Sequence, residues 1–193
     1  NHSMLLDFNP YPQVNGGGCT CGGLFIFNDK LYFRGLDFSQ LDPSSYDLFN
    51  DKLFVYEGGF GYRNVNNTVG GFWPYGISRI TACTDYIYFT SYTSATGREL
   101  WRFDGVNAPE LAAETVSGSD YYHLEYLKVF GDKLVFQVRL PYADGGGYEY
   151  EFGVYDNAAR TITLYDLRPE VVPNPSGSSP RNFTILNNKL FFI

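Results

Sequence analysis

Four copies of one short pattern run along the chain, and they limit what it can fold into more than any other feature. LFIFNDKLYF (24–33), ITACTDYIYF (80–89), LKVFGDKLVF (127–136) and FTILNNKLFF (183–192) each join one apolar run to a second that ends in Phe. The join is a polar centre such as Asn28-Asp29 or Gly131-Asp132. Asn, Asp and Gly between β-rich runs are the strongest short-range hairpin signal, because they accept the positive φ of tight antiparallel turns. The second strands begin at Leu31, Ile87, Leu134 and Leu190, at intervals of 56, 47 and 56 residues with a mean of 53. A third strand recurs at KLFVYEG (52–58), ELWRFDG (99–105) and EFGVYDN (151–157). A fourth recurs at RNVNNTV (63–69), APELAAE (108–114) and RTITLYD (160–166). A ~53-residue unit of four short strands, A to D in chain order, has the size of a propeller blade. The only helix-tolerant stretch, PELAAET (109–115), is shorter than two turns. The expected fold class is all-β, a β-propeller-like array of four-stranded repeats in one domain.

The N-terminus belongs to the same series. MLLDFNPYPQVNGGG (4–18) matches LYDLRPEVVPNPSGSSP (164–180) at an offset of 159 residues, which sets Pro10 on Pro169, Gly18 on Gly177, Asn28 on Asn187 and Lys30 on Lys189. The units are therefore a partial one over 1–20, repeats over about 21–70, 71–120 and 121–170, and a partial repeat over 171–193. An apolar strand such as LFFI (190–193) is adhesive when it lies at an uncovered sheet edge. Three arrangements answer that. The strand Met4–Phe8 closes a composite blade with the C-terminal hairpin; or it pairs with the hairpin of a neighbouring copy and builds a fibre or surface layer; or the chain is a fragment of a longer array.

Two segments carry a family likeness. GRELWRFDG (97–105) and LYDLRPEVVPNPSGSSPRNFTILNNKLFF (164–192) resemble the bacterial ELWxxDGT repeat family, whose units combine a GxELWxxDGT strand, a D-[IL]-x-P-G linker, a GSSP segment and an N-G-x-LYF hairpin. The likeness spans essentially the whole chain at low stringency. Val106 stands where the motif has Thr, and Leu-Trp becomes Leu53-Phe54 and Phe152-Gly153 in the other two units. The resemblance implies extracellular or cell-surface propeller-like repeats, often within larger adhesion-type proteins, and it transfers no catalytic residue.

Composition excludes several classes. Of 193 residues, 19% are aromatic and only 18% charged, with a net charge of −7. That is too many rings for intrinsic disorder and the wrong sign for binding phosphate backbones. No run of apolar residues reaches the ~18 needed for a membrane span. The chain opens NHSM with no leader pattern, so any signal peptide is already removed, or the chain is an excerpt with a short terminal scar. Sequons for glycosylation occur at Asn1, Asn66 and Asn182; Asn66, in its polar NVNN stretch, is the one expected to be displayed, whereas Asn174 is disqualified by Pro175. In an oxidising compartment the three cysteines predict one disulfide, from Cys83 to Cys19 or Cys21.

Chemistry has little footing. The histidines are His2 and His123, and no nucleophile elbow accompanies either. The glycine runs 16–18 and 145–147 lack the G-K-[ST] ending of a phosphate loop, and acids such as Asp120 and Asp144 lack calcium-loop spacing. No cofactor or metal is expected. Trp73 and Trp101 are candidate glycan-stacking platforms, but Trp101 alternates with Leu100 and Arg102 as an inward-facing core residue would. The expected function is a non-enzymatic extracellular structural or adhesive β-repeat protein, self-assembling with copies of itself by strand exchange. The alternative is a carbohydrate-binding lectin of propeller type, with glycans as partners.

Overall fold

The computed structural model of the chain describes residues 22–36, 51–58, 61–69, 71–72, 74–115, 124–141, 147–167 and 177–193. The expected N-terminal strand, the composite blade it would complete and the partial unit 1–20 lie outside these residues. Within them the four-stranded unit folds as the sequence predicts. The first sheet is β1 (Gly22–Phe27), β2 (Lys30–Leu36), β3 (Asp51–Gly58) and β4 (Gly61–Asn64); the second is β5 (Tyr75–Cys83), β6 (Tyr86–Thr93), β7 (Gly97–Phe103) and β8 (Glu110–Ala113). The third is β9 (Leu124–Phe130), β10 (Lys133–Pro141), β11 (Tyr148–Asp156) and β12 (Thr161–Tyr165), and β13 (Thr184–Leu186) pairs with β14 (Lys189–Phe191). Each four-stranded sheet is an antiparallel meander in chain order. The fourth strand of the first sheet is shorter than its expected span of 63–69: it stops at Asn64, and a single helical turn, α1 (Val65–Thr68), buries Val65 against the core.

Turn chemistry fixes the hairpins. Asn28 and Asn187 have φ of 48° and 49°, and Asp29 and Asn188 follow at 58° and 55°. Both residues of each turn are thus left-handed, as two-residue hairpin turns that match strand twist require. A second left-handed feature recurs inside the first strand of each four-stranded sheet and just before β13. Gly23, Arg79, Tyr126 and Asn182 stand at one repeat position, one residue before Leu24, Ile80, Leu127 and Phe183, and their φ values are 69°, 46°, 56° and 58°. The ladder slips there in each sheet: between Gly22 and Phe25, between Ser78 and Thr81, and opposite the step from Val135 to Gln137. Past β13 the pairing resumes beyond Asn182, where Arg181 and Ile193 exchange both backbone hydrogen bonds at 2.8 and 3.1 Å. A bulge thus bends the first strand of each four-stranded sheet at the same point, and β5 carries a second irregularity between Tyr75 and Ser78; such bulges are typical of strands that turn a corner.

Glycine and asparagine tolerate that conformation, but tyrosine is strained by it. Tyr126 is 47% exposed and contributes little packing. Tyr126→Asn is therefore expected to stabilise the protein by about 0.5–1 kcal/mol, taking part of the ~1–2 kcal/mol left-handed penalty. A rise in the urea midpoint at unchanged slope is the measurement; a fall means that the Tyr126 ring is held by packing.

The sheets stack face on face, and each interface uses the same positions. The front of the first sheet (Tyr32, Leu53, Val55) meets the back of the second (Ile77, Ile87, Phe89, Trp101, Phe103) in one buried cluster. The front of the second (Tyr88, Leu100) meets the back of the third (Leu134, Phe136, Val138, Tyr155) in another. On the front of the third, Phe152 stacks on Phe192 at 5.2 Å and meets Phe183 edge-on at 5.8 Å. Registers agree across units: Phe33 opposes Phe54, Phe89 opposes Trp101, and Phe136 opposes Gly153. A middle sheet is therefore apolar on both sides. This is why Leu100 and Arg102, which alternate with Trp101 and Phe103, are buried as well.

Candidate functional site

Apart from residues such as Thr90 and Thr93, which bond locally to Ser78 and Thr96 at 2.8 Å, two sets of buried polar side chains among the described residues fasten parts of the array together. The first set consists of two glutamates at one repeat position, two residues before Trp101 and Gly153. Glu99, fully buried in β7, accepts through Oε2 from the Thr115 backbone N–H and hydroxyl, both at 2.6 Å. Glu151, buried in β11, accepts from the Ser178 N–H at 3.2 Å and, through its other oxygen, from the Ser178 hydroxyl at 2.6 Å. Thr115 follows β8 and Ser178 precedes β13, so each carboxylate holds the chain where it passes between sheets. The glutamate of the ELW segment is an anchor for linkers.

The second anchor reaches further. Ser179 N–H donates to Tyr150 O at 2.8 Å, and the Gln137 amide donates to Pro180 O at 3.0 Å. Gly177 has φ +63°, and a Cβ there would lie 2.6 Å from Tyr150 N. Only glycine admits both the conformation and the approach. Residues 177–180, the GSSP segment, are thus strapped along β11.

The other set lies between the second and third sheets. Arg102, mostly buried, donates to Glu110 through Nε at 2.7 Å and through Nη2 at 2.5 Å, and lies over the Tyr86 ring at 4.2 Å. Its Nη1 reaches Asn157 Oδ1 at 3.4 Å, the same oxygen that accepts from the Tyr88 hydroxyl. Asn157 in turn donates to Thr84 at 3.3 Å, and Arg160 pairs with Glu110 at 3.5 Å. Burial first, then the neighbouring Tyr155, raises the Tyr88 phenol above its ordinary value, so it stays a proton donor. Burial also raises the Cys83 thiol; the Thr84 hydrogen bond opposes this and the Asp132 charge adds to it. A thiol held protonated is a poor nucleophile. A guanidinium fully engaged with one carboxylate, an amide and an aromatic face serves here as a bracket between sheets.

Turn aspartates complete the repeat. Asp104 Oδ1 accepts from the Val106 and Asn107 N–H groups at 2.8 and 2.7 Å, and Asp156 Oδ1 accepts from Ala158 and Ala159 at 3.0 and 2.9 Å. Burial opposes the ionised form of Asp104, but the Asn107 and Val106 hydrogen bonds outweigh it and hold the carboxyl below its ordinary value. The Asp of the ELWxxDG run is thus a cap for the turn that follows the strand.

The residues singled out from sequence are dispersed. Trp101 is buried between the first two sheets with Phe72 at 6.1 Å, so its ring is a core element and offers no face to a sugar. Trp73, Asn1, Cys19 and Cys21 lie outside the described residues, as do His123, Asp120 and Asp144. Cys83, expected in a disulfide with Cys19 or Cys21, is a buried free thiol whose Sγ approaches Gly131 O at 4.0 Å. Asn66 is enclosed: its Oδ1 accepts from Leu53 N–H at 2.9 Å and its Nδ2 is buried, because the α1 turn folds the NVNN stretch back onto β3. Asn182 is exposed. Sequence reasoning missed Glu99, Glu151, Arg102 and Asn157. The one available signal was that Glu99 and Glu151 share a repeat position, which on a strand reads equally as a solvated charge. No helix of the described residues is long and apolar enough to cross a membrane. A scan against family models finds no match, and searches of curated proteins and of solved structures find none either.

Proposed function

We propose that the chain is a non-enzymatic, extracellular β-repeat protein with a structural or adhesive role, its sheets being blades of a propeller-like array of the ELWxxDGT kind. The observation that carries this reading is the repeated interface. Front meets back through equivalent residues from sheet to sheet, and the buried polar groups (Glu99, Glu151, Arg102) hold sheets and linkers rather than converge on an open cleft. Two halves of that interface are partly uncovered among the described residues: on the back of the first sheet Phe33 and Phe54 are buried, but other apolar side chains are not. On the back of the first sheet Leu24 and Ile26 are 66% and 71% exposed, and on the front of the fourth Leu186, Phe191 and Ile193 are exposed. A second copy supplies the matching face to each, and such a head-to-tail contact propagates instead of closing. Copies therefore assemble by stacking the first sheet of one on the fourth of the next.

Light scattering after size exclusion tests this. The expected result is a mass that grows with concentration and returns to that of the monomer on Ile26→Lys or Phe191→Lys. A concentration-independent monomer overturns assembly. A second reading, a carbohydrate-binding lectin, is favoured by one feature elsewhere on the third sheet.

A further inference from the structure

Arg139 in β10 differs from six other arginines, of which Arg98 donates to Gly76 O at 3.0 Å and to Ser78 Oγ at 2.8 Å. Arg34, Arg63, Arg79, Arg102 and Arg160 each pair with a carboxylate. Arg139 has no hydrogen bond or ion pair among the described residues, its Nε is buried without a partner, and its guanidinium carbon lies 3.6 Å from the centre of the Tyr148 ring. In a chain of net charge −7 an unpaired cation on an aromatic platform stands out. Register fixes its surroundings. Arg139 opposes Tyr150, and Tyr148, two residues along β11, shares that face, as does Gln137 two residues back along β10. Gln137 lies under the strap at Pro180, so Arg139 sits just beyond the strap's edge, with Tyr148 46% exposed beside it. The stacked guanidinium is planar and oriented, which leaves its fork arranged for a bidentate carboxylate.

We infer that Arg139, Tyr148 and Tyr150 form a binding notch for the carboxylate of an acidic sugar, a uronate at the end of or within a glycan. The guanidinium takes the carboxylate and the tyrosine rings flank the apolar face of the pyranose. A densely charged polyanion is disfavoured by what lies behind the notch. Glu149 projects from the opposite face of β11, and burial together with the charges of Glu151 and Asp166 pushes its carboxyl up. Carboxylates spaced one to a sugar fit beside such a cluster; the denser charge of a row of phosphates is repelled. This site rests on the lectin reading and is independent of the stacking of copies, so either can fail alone.

Calorimetric titration of the full chain with trigalacturonate, with neutral trigalactose and with sodium acetate tests it. The acidic trimer is expected to bind at least about tenfold more tightly than the neutral one, as a charge-assisted pair implies, and to weaken in high salt. Arg139→Gln should abolish the difference, and Arg139→Lys should lose most of it because an ammonium supplies neither the fork nor the stack. Tyr148→Ala should weaken binding about two- to fivefold through loss of the cation–π platform. Thermal melts certify folding; if the Gln variant does not fold, the Lys and Tyr148 variants decide. Equal binding of acidic and neutral trimers, no binding of either at millimolar concentration, or unchanged binding in the arginine variants overturns the site. Acetate competing as strongly as the trimer overturns recognition of the sugar.

Discussion

Gly153→Ala is expected to destabilise the protein by about 1–3 kcal/mol, the range for overfilling a closed core. The reason lies in how the third sheet solves a problem that the first two solve differently. At this register the first sheet sets Phe33 against Phe54, with ring centres 5.4 Å apart and planes within 9°. The second sets Phe89 against Trp101. The third has a glycine, and the Phe136 ring lies over its backbone. A Cβ at Gly153 would stand 2.2 Å from Phe136 Cε2, 2.8 Å from Cδ2 and 2.9 Å from Cζ. Phe136 is fully buried in the cluster with Leu134, Val138 and Tyr155, so the ring has nowhere to swing. Nor is the glycine's φ left-handed, so the effect is one of space and not of backbone strain. Urea unfolding should show a lower midpoint at unchanged slope. A double variant with Phe136→Leu should recover part of the loss, because the two residues share one volume and their costs do not add. A Gly153→Ala protein as stable as the parent means that Phe136 does not lie where the structure places it.

That contrast also marks how far the sequence could be read. The hairpins were legible because their signals are local: Asn28-Asp29 and Asn187-Asn188 must be left-handed, and the apolar runs on either side have strand period. The period of four strands then placed the hairpins and the third strands, though not the end of β4, and placed Phe33, Phe89, Phe136 and Phe192 in one column. What failed was whatever depends on which sheet lies next. Alternation in ELWRFDG predicts one buried face, yet Leu100 and Arg102 are buried because the third sheet covers them. The bulge in the first strand was hidden because Gly23, Arg79, Tyr126 and Asn182 have no chemistry in common. Backbone pairing imposes their conformation, and tertiary structure overrides propensity there. Asn66 misled for a similar reason: polarity in NVNN marks a chain reversal as readily as a solvated loop, and here the amide turns in to cap Leu53. Arg139 gave no signal at all, since an unpaired arginine is defined by partners that are distant in sequence.

The ELW glutamate offers the sharper test of the repeat itself. Glu99→Ala is expected to cost about 2–3 kcal/mol, because removing the carboxylate strands a buried N–H and a hydroxyl, and hydrogen bonds to charged groups are worth about 1.5–3 kcal/mol. Glu151→Ala removes the equivalent pair from Ser178 and should cost somewhat less, since Tyr150 O also accepts from the strap at Ser178 Oγ and Ser179 N. Glutamine at either position keeps one acceptor oxygen without the charge, so it should fall between the parent and alanine. Lys52 provides the internal control. It occupies the same register in the first sheet, opposite Gly35 as Glu99 is opposite Ser91 and Glu151 opposite Val138. The half-exposed Lys52 side chain holds no linker among the described residues, and Lys52→Ala should stay within about 0.5 kcal/mol of the parent, as for ordinary surface changes. Hydrogen exchange separates anchoring from general loosening. If the glutamates act on linkers, Glu151→Ala should first release the amides of Ser178 and Ser179, which it and Tyr150 hold, while the amides of β10 keep their protection. Uniform loss of protection across the third sheet would make Glu151 a component of the core and not an anchor. A cost at Lys52 equal to that at Glu99 would remove the repeat position as the explanation, leaving each side chain to be understood by its own surroundings.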